Sequence, residues 1–209
     1  MWYLAALGLV CSYLLGNLNG AVIVSSIYAH DDVRTHGSGN AGLTNFFRNY
    51  GKATTLLVLL VDMGKTALAC YAGGLMLAPF GYYQEGLMLG AVAVSLGHDF
   101  PVLLGFRGGK GILCGLTVAL VIDWRIGLII LGVFIVAFAI TRYVSLGSVL
   151  GGLFFALGFA FFYYNNIYIL VGGVFLGLLA VWMHRANILR LIRGEETKTH
   201  LIHRELNNK

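Results

Sequence analysis

The sequence predicts an all-α fold: a polytopic membrane helix bundle of about seven transmembrane helices, with the N-terminus outside and the C-terminus cytoplasmic. Three observations lead there. Hydrophobic residues make up 58% of the 209 and charged residues 11%, with a mean hydropathy of +0.81, whereas a water-facing globule carries roughly a quarter charged residues. The few charges fall into short intervals between long apolar runs. The basic ones gather on one side once the runs are counted as spans. Disorder, collagen and a disulfide scaffold are excluded by the same composition, and no nucleic-acid partner is expected.

About 20 apolar residues cross the hydrocarbon core as a helix, and the runs at 2–27, 54–78, 86–104, 149–164 and 167–183 reach or approach that length. The first lacks a basic leading segment and a convincing small-residue cleavage site, so it reads as an uncleaved span rather than a signal peptide. The interval 112–140 is too long for one span and is interrupted by Asp123, Trp124 and Arg125. It holds two spans if the first begins in the glycine-rich stretch near Gly108. Cytoplasmic loops accumulate Lys and Arg, and this decides the count. With seven spans, Arg34, Arg48, Lys52, Arg107, Lys110, Arg142, Arg185, Arg190, Arg193, Lys198, Arg204 and Lys209 share one side, Arg125 faces the other, and Lys65 lies within a span. Merging 112–140 into one span erases the bias. Nothing divides the chain, so 1–209 is expected to form a single domain without repeats.

Glycine is abundant, 29 residues, and the spacings Gly86/Gly90, Gly147/Gly151 and Gly173/Gly177 suit close helix approach. Cys11, Cys70 and Cys114 sit singly inside apolar runs, which reads as packing; neither a disulfide nor a metal site is expected.

Polar residues are costly in lipid, so those kept at the mouth of a bundle are the candidates for chemistry. Three intervals qualify, all on the cytoplasmic side. In the first, Gly37-Ser38-Gly39-Asn40-Ala41-Gly42-Leu43-Thr44-Asn45 offers backbone amides, hydroxyls and carboxamides to an anion, with Arg48 just beyond. The second, Gly97 to Gly111, holds His98 and Gly105-Phe106-Arg107-Gly108-Gly109-Lys110-Gly111. It suits a phosphate but is no Walker A loop, because glycine rather than Ser or Thr follows the lysine. The third, His184 to Glu196, places His184, Asn187 and Leu191 near one helical face and Arg185, Leu189 and Arg193 near another. Asp62 and Lys65 can pair on one face of the second span, as a polar interior or as a clamp. Arg142, Ser145 and Ser148, between the fifth and sixth spans, can reach the same polar pocket.

GSGNAGLTN, GHDFPVLLGFRGGKG, TRYVSLGS and HRANILRLIRGEE, in this order, resemble the bacterial acyl-phosphate:glycerol-3-phosphate acyltransferases, the integral-membrane PlsY family. The resemblance extends over nearly the whole chain, including Tyr13 to Ala21 and the Asp62 and Lys65 pair. The chain departs from the family pattern at Leu43, where alanine is usual; at Asn17-Leu18-Asn19, in place of Ser-Ile-Pro; and at Ile112-Leu113-Cys114, in place of Val-Ala-Thr.

The resemblance implies transfer of a fatty acyl group from acyl phosphate to the 1-hydroxyl of glycerol 3-phosphate, with no cofactor and no metal. His98, Lys110, Arg48 and Ser38 are then the expected catalytic residues. Gly37, Gly39, Asn40, Thr44, Asn45, Gly108, Gly109, Gly111, Ser145, His184 and Asn187 are the expected substrate-binding ones. It also implies the bacterial inner membrane, a site facing the cytoplasm, contact with membrane lipids, and a soluble acyl-phosphate-producing enzyme as the further partner to look for. Competing chemistries lack their residues. No histidine is followed at the fifth position by the aspartate of an HxxxxD acyltransferase, and the aspartates do not form the array of a CDP-alcohol phosphotransferase. An anion transporter, the non-enzyme alternative, needs a midplane site of broken helices, whereas these polar loops cluster at one face.

Overall fold

The computed structural model describes residues 2–199; Arg204 and Lys209, counted above with the basic side, lie outside the described residues. Ten α-helices and three short 3-10 turns make up the regular structure of those residues: α1 (Trp2–Gly16), α2 (Gly20–Ala29), α3 (Leu43–Tyr50), α4 (Lys52–Leu77), α5 (Tyr83–Asp99), α6 (Ile112–Ile122), α7 (Trp124–Thr141), α8 (Val144–Phe162), α9 (Ile167–Met183) and α10 (Arg185–Ile192). The chain is an all-α membrane bundle. Five stretches are long and apolar enough to cross a bilayer, namely Trp2–Ala29, Lys52–Phe80, Tyr83–Leu104, Trp124–Thr141 and Val144–Phe162, and α9 with α10 makes a sixth, bent by 53°. The remaining expected span is short. Helix α6 has 11 residues, about 16 Å at 1.5 Å per residue, against a hydrocarbon core of about 30 Å.

The run 2–27, read above as one continuous span, is broken into α1 and α2. Asn19 causes the break: its carboxamide oxygen accepts from Val22 N at 3.1 Å and caps α2, the usual way an Asx side chain starts a helix. The buried pair on α4 serves the two ends so created. Asp62 Oδ1 accepts from Gly20 N at 3.0 Å, while Lys65 Nζ donates to the carbonyls of Gly16 at 3.2 Å and Leu18 at 2.7 Å. An anion at a helix start and a cation at a helix end both oppose the local dipole, so the pair is a clamp on the break.

Small residues let the helices close up, as expected. A Cβ on Gly97 would stand 2.1 Å from the Tyr13 carbonyl oxygen, and one on Gly90 2.2 Å from that of Ala69, so α5 lies backbone against backbone on α1 and α4. Gly86 meets Gly73, Gly173 meets Phe159, Gly177 meets Gly152 and Ala156, and Gly147 meets Phe134. Gly151 departs from the packing expectation: nothing lies within 4 Å of its would-be Cβ, and it lines a cavity instead.

The apolar core joins α4 to α9 through residues such as Met88, Val118, Ile126, Phe155, Phe159 and Ile169. Buried Cys70 belongs to it, Cys114 is also buried, and Cys11 is exposed. A second cluster, Ala21, Val24, Val33, Phe46 and Val58, holds α3 and the loop before it against α2 and α4. Exposed leucines on α4, such as Leu56, Leu60, Leu68 and Leu75, suit a lipid-facing surface.

Candidate active site

All three polar intervals of the sequence open onto one cavity of about 870 Å³, placed where α3 begins, α5 ends, α6 and α8 begin, and α9 bends into α10. Ser38, Arg48, His98 and Lys110 are on its wall, with Gly37, Gly39, Asn40, Thr44, Asn45, Gly111, Ser145, His184 and Asn187. Its deeper wall is apolar, formed by residues such as Leu116, Ile130, Phe155 and Leu176. A polar mouth thus continues into a greasy interior.

The glycine-rich loop is held in shape from within. Asn45, 4% exposed, accepts from Ser38 N at 3.0 Å and donates to the carbonyls of Val33 and His36, each at 3.0 Å. Gly39 N and Gly42 N are also taken, by His36 O and Asn40 O. These loop amides, expected above to face an anion, are therefore spent internally, and the Asn45 side chain shapes the loop. Among the described residues the backbone N–H groups of Gly37, Asn40 and Ala41 donate no hydrogen bond, and further unspent amides follow them. Helix α3 starts at Leu43 behind Gly42 with no side-chain cap, so its first-turn N–H groups, which no helix can satisfy itself, face the cavity edge beside Thr44. The loop also carries an ion pair, Arg34 to Asp32 at 2.7 Å; Arg34 Nη1 donates on to Leu104 O at 3.0 Å, tying the first interval to the second. Tyr50 donates to Asp31 Oδ2 at 2.9 Å, and burial together with that carboxylate pushes the phenol up to about 12.

Gly108 and Gly109, expected to bind phosphate, are not on the cavity wall. A Cβ on Gly108 would meet His98 O at 2.0 Å, and one on Gly109 would meet His98 Nε2 at 2.2 Å; these glycines are small because the loop lies directly on the end of α5. Arg107 is exposed and off the wall as well. Lys110 and Gly111 do reach the cavity, and Lys110 Nζ donates to Asn187 Oδ1.

On the far side, His184 Nδ1 stands 2.8 Å from Ala180 O. A carbonyl only accepts, so this nitrogen carries the proton and Nε2 keeps its lone pair. Asn187 is buried on the same face of α10, while Arg185 and Leu189 are exposed, in line with the helical spacing. Two residues after α10 went unassigned in the sequence, Glu196 on the cavity wall and Thr199. Glu196 accepts from Asn187 Nδ2 at 3.0 Å and from Arg190 Nε at 2.7 Å. Burial opposes its charge, but those donors outweigh it and hold the carboxyl below its usual range. Thr199 Oγ1 accepts from Arg48 Nη2 at 2.7 Å, and its backbone N–H donates to Arg142 O at 3.0 Å. The segment after α10 thus straps the mouth. Its signal was the Gly194-Glu195-Glu196 ending of the third motif, where a glycine stop is followed by acids beside arginines. Asp99, 3% exposed, also lines the cavity, with Oδ1 unpartnered.

The family model for glycerol-3-phosphate acyltransferases matches residues 6–194. The chain belongs to that family. Relatives named glycerol-3-phosphate acyltransferase include one from Finegoldia magna, 38% identical over 197 residues that cover 94% of this chain and 96% of the relative. Another, from Clostridioides difficile, is 39% identical over 198 residues, covering 90% and 92%. Two crystal structures of PlsY (YgiH), an integral membrane glycerol 3-phosphate acyltransferase, superpose on it. The glycerol 3-phosphate form gives a TM-score of 0.82 at 30% identity, covering 94% of this chain and 96% of that one. The lysophosphatidic acid form gives 0.80 at 29%, covering 94% and 95%. This chain is therefore an integral membrane protein of the PlsY family.

Proposed function

We propose that the protein transfers a fatty acyl group from acyl phosphate to the 1-hydroxyl of sn-glycerol 3-phosphate, giving 1-acyl-glycerol 3-phosphate and inorganic phosphate, the first acylation of bacterial phospholipid synthesis. One observation carries this reading: Ser38, Arg48, Lys110 and the start of α3 meet at the mouth of a cavity whose interior is apolar. Two phosphates and an acyl chain need that combination of polar and greasy surface.

Acyl phosphate is a mixed anhydride with a good leaving group, so positioning and charge neutralisation supply most of the help. The substrate hydroxyl oxygen attacks the acyl carbon. The bond from that carbon to the phosphate oxygen breaks, phosphate leaves with the electron pair, and the hydroxyl proton passes to His98 or to a phosphate oxygen. Arg48 and Lys110 neutralise the phosphates, Ser38 and Thr44 hydrogen-bond them, and Asn187, His184 and Ser145 orient glycerol 3-phosphate. The unspent amides of α3 add an anion site of the usual helix-start kind.

Residues 1–209 act as one domain in the bacterial inner membrane, crossing seven times with the mouth and C-terminus cytoplasmic. The clustering of basic side chains at the mouth supports this orientation. A soluble enzyme that makes acyl phosphate can deliver it to that basic face, and membrane lipid surrounds the rest. The test is conversion of labelled glycerol 3-phosphate by purified protein, with acyl phosphate and acyl thioesters as parallel donors. Product with acyl phosphate alone is expected. Equal use of thioesters would remove the donor assignment, and uptake by vesicles without acylation would remove the enzyme.

A further inference from the structure

Lys65 does more than clamp the α1–α2 break. Its ammonium stands 2.8 Å from Asp62 Oδ1 and 2.9 Å from His98 Nδ1, in addition to the Gly16 and Leu18 carbonyls. A carboxylate and two carbonyls accept only, and a neutral amine has two hydrogens for three such partners, so the group here is the ammonium, which has no lone pair to offer; its three hydrogens meet Leu18 O at 2.7 Å, Asp62 Oδ1 at 2.8 Å and His98 Nδ1 at 2.9 Å, and the longer Gly16 contact at 3.2 Å shares one of them. It therefore faces Nδ1 as a donor. The Asp62 oxygen, 3.7 Å from the same nitrogen, is beyond hydrogen-bond reach. The imidazole proton is left on Nε2, at the edge of the ring that lies against the bare Cα of Gly109; His98 itself lines the cavity.

We infer that Lys65 is a positioning residue that holds His98 as the neutral Nε2–H tautomer, making His98 a hydrogen-bond donor toward substrate oxygen rather than a proton acceptor. A second proton on His98 would place an imidazolium against the Lys65 ammonium, with Asp62 already paired to Lys65. Nearby Asp99, on the same turn of α5, points its unpartnered Oδ1 at Gly111 and makes no hydrogen bond to the His98 ring. The contrast with His184 is built into the same cavity: a carbonyl fixes that ring as Nδ1–H and leaves Nε2 accepting. The two histidines thus present opposite Nε2 chemistry to the site. The role in catalysis rests on the acyl transfer proposed above; the tautomer does not.

The experiment uses purified full-length protein labelled with ¹⁵N in its histidine rings, with His98 and His184 assigned by loss of signal in His98→Gln and His184→Gln. At neutral pH, His98 is expected to show a protonated Nε2 and a bare, hydrogen-bonded Nδ1, and His184 the reverse. The double variant Asp62→Asn with Lys65→Met, which leaves no lone buried charge, should let both His98 tautomers appear. A protonated Nδ1 or an imidazolium in the wild type overturns the inference, as does an unchanged tautomer in the double variant. In acyl-transfer assays His98→Gln, whose amide N–H stands near the Nε2 position, should keep kcat within about tenfold, while His98→Asn and His98→Ala lose about a hundredfold, the usual cost of one missing oxyanion donor. Equal loss in all three refutes donation by His98. Absence of acyl transfer in the wild type removes the proposed reaction and leaves the spectroscopic result standing.

Discussion

Lys110 Nζ donates to the side-chain carbonyl of Asn187, joining the loop before α6 to helix α10 across a separation of 77 residues. The contact turns a flexible cation into a fixed one. Lysine loses rotamer freedom in being held, and the return is a charge already in place when a phosphate arrives.

Replacing Lys110 or Arg48 with alanine should therefore abolish turnover, by about a hundredfold or more for each lost charge, while the protein stays extractable and monodisperse. Neither side chain belongs to the apolar core clusters. Initial rates on acyl phosphate, beside size-exclusion profiles, check this. Near-normal rates in either variant would refute the charge-neutralisation role.

Glu196 supplies a pH-dependent latch. Its carboxyl lies below the ordinary value of 4.5, because the Asn187 and Arg190 donors outweigh its burial. A lowered folded-state value means that ionised Glu196 stabilises the fold above its unfolded pKa, and that this contribution fades as the pH falls through the lower, folded one. The contribution should be about 1 kcal/mol, since Arg190 is 42% exposed and solvent screens the pair. Glu196→Gln should thus lower the melting temperature at neutral pH and converge on the wild type in acid. A constant gap across that range would rule the latch out.

The six longer spans were legible because lipid demands about 20 apolar residues and marks each run. The break at Asn17-Leu18-Asn19 was not, since two carboxamides barely lower the hydropathy of a 28-residue stretch; only the distant Asp62 and Lys65, which hold its ends, show its purpose. Residue types at the mouth pointed to an anion site, and the structure gathers Ser38, Arg48, Lys110 and Asn187 on one wall. Sequence could not say which glycines face the cavity. Gly108 and Gly109 look like a phosphate loop in one dimension, yet they are small because His98 lies against them. The donor or acceptor character of each histidine was equally hidden, because a neighbour 33 residues away sets it for His98.

Phe155 separates the cavity from the core. It lines the cavity, is 3% exposed, and lies against Phe159 at 4.7 Å between ring centroids, while Phe159 does not reach the wall. Phe155→Ala should extend the apolar end and shift the preferred acyl chain toward greater length, at a stability cost of about 3–5 kcal/mol. Competition between acyl phosphates of graded length measures the shift; an unchanged preference would place the end of the chain elsewhere.

The approach of α1 to α5 leaves no room at Gly97. A methyl there would stand 2.1 Å from Tyr13 O and 2.9 Å from the Tyr13 carbonyl carbon. These are backbone atoms, so no side chain can rotate away and the two helices must part. Parting them also disturbs Gly16, whose own Cβ position is 2.3 Å from Val94 O, and with it the Lys65 contact at the end of α1. Gly97→Ala should therefore destabilise by about 3 kcal/mol, the upper range for overpacking. Gly132, on α7, is the control. Nothing lies within 4 Å of its would-be Cβ, so alanine there should match or raise stability by up to about 1 kcal/mol, through helix propensity alone. Thermal unfolding of both variants in the same detergent separates the effects: equal melting temperatures would mean that the α1–α5 contact is looser than backbone against backbone.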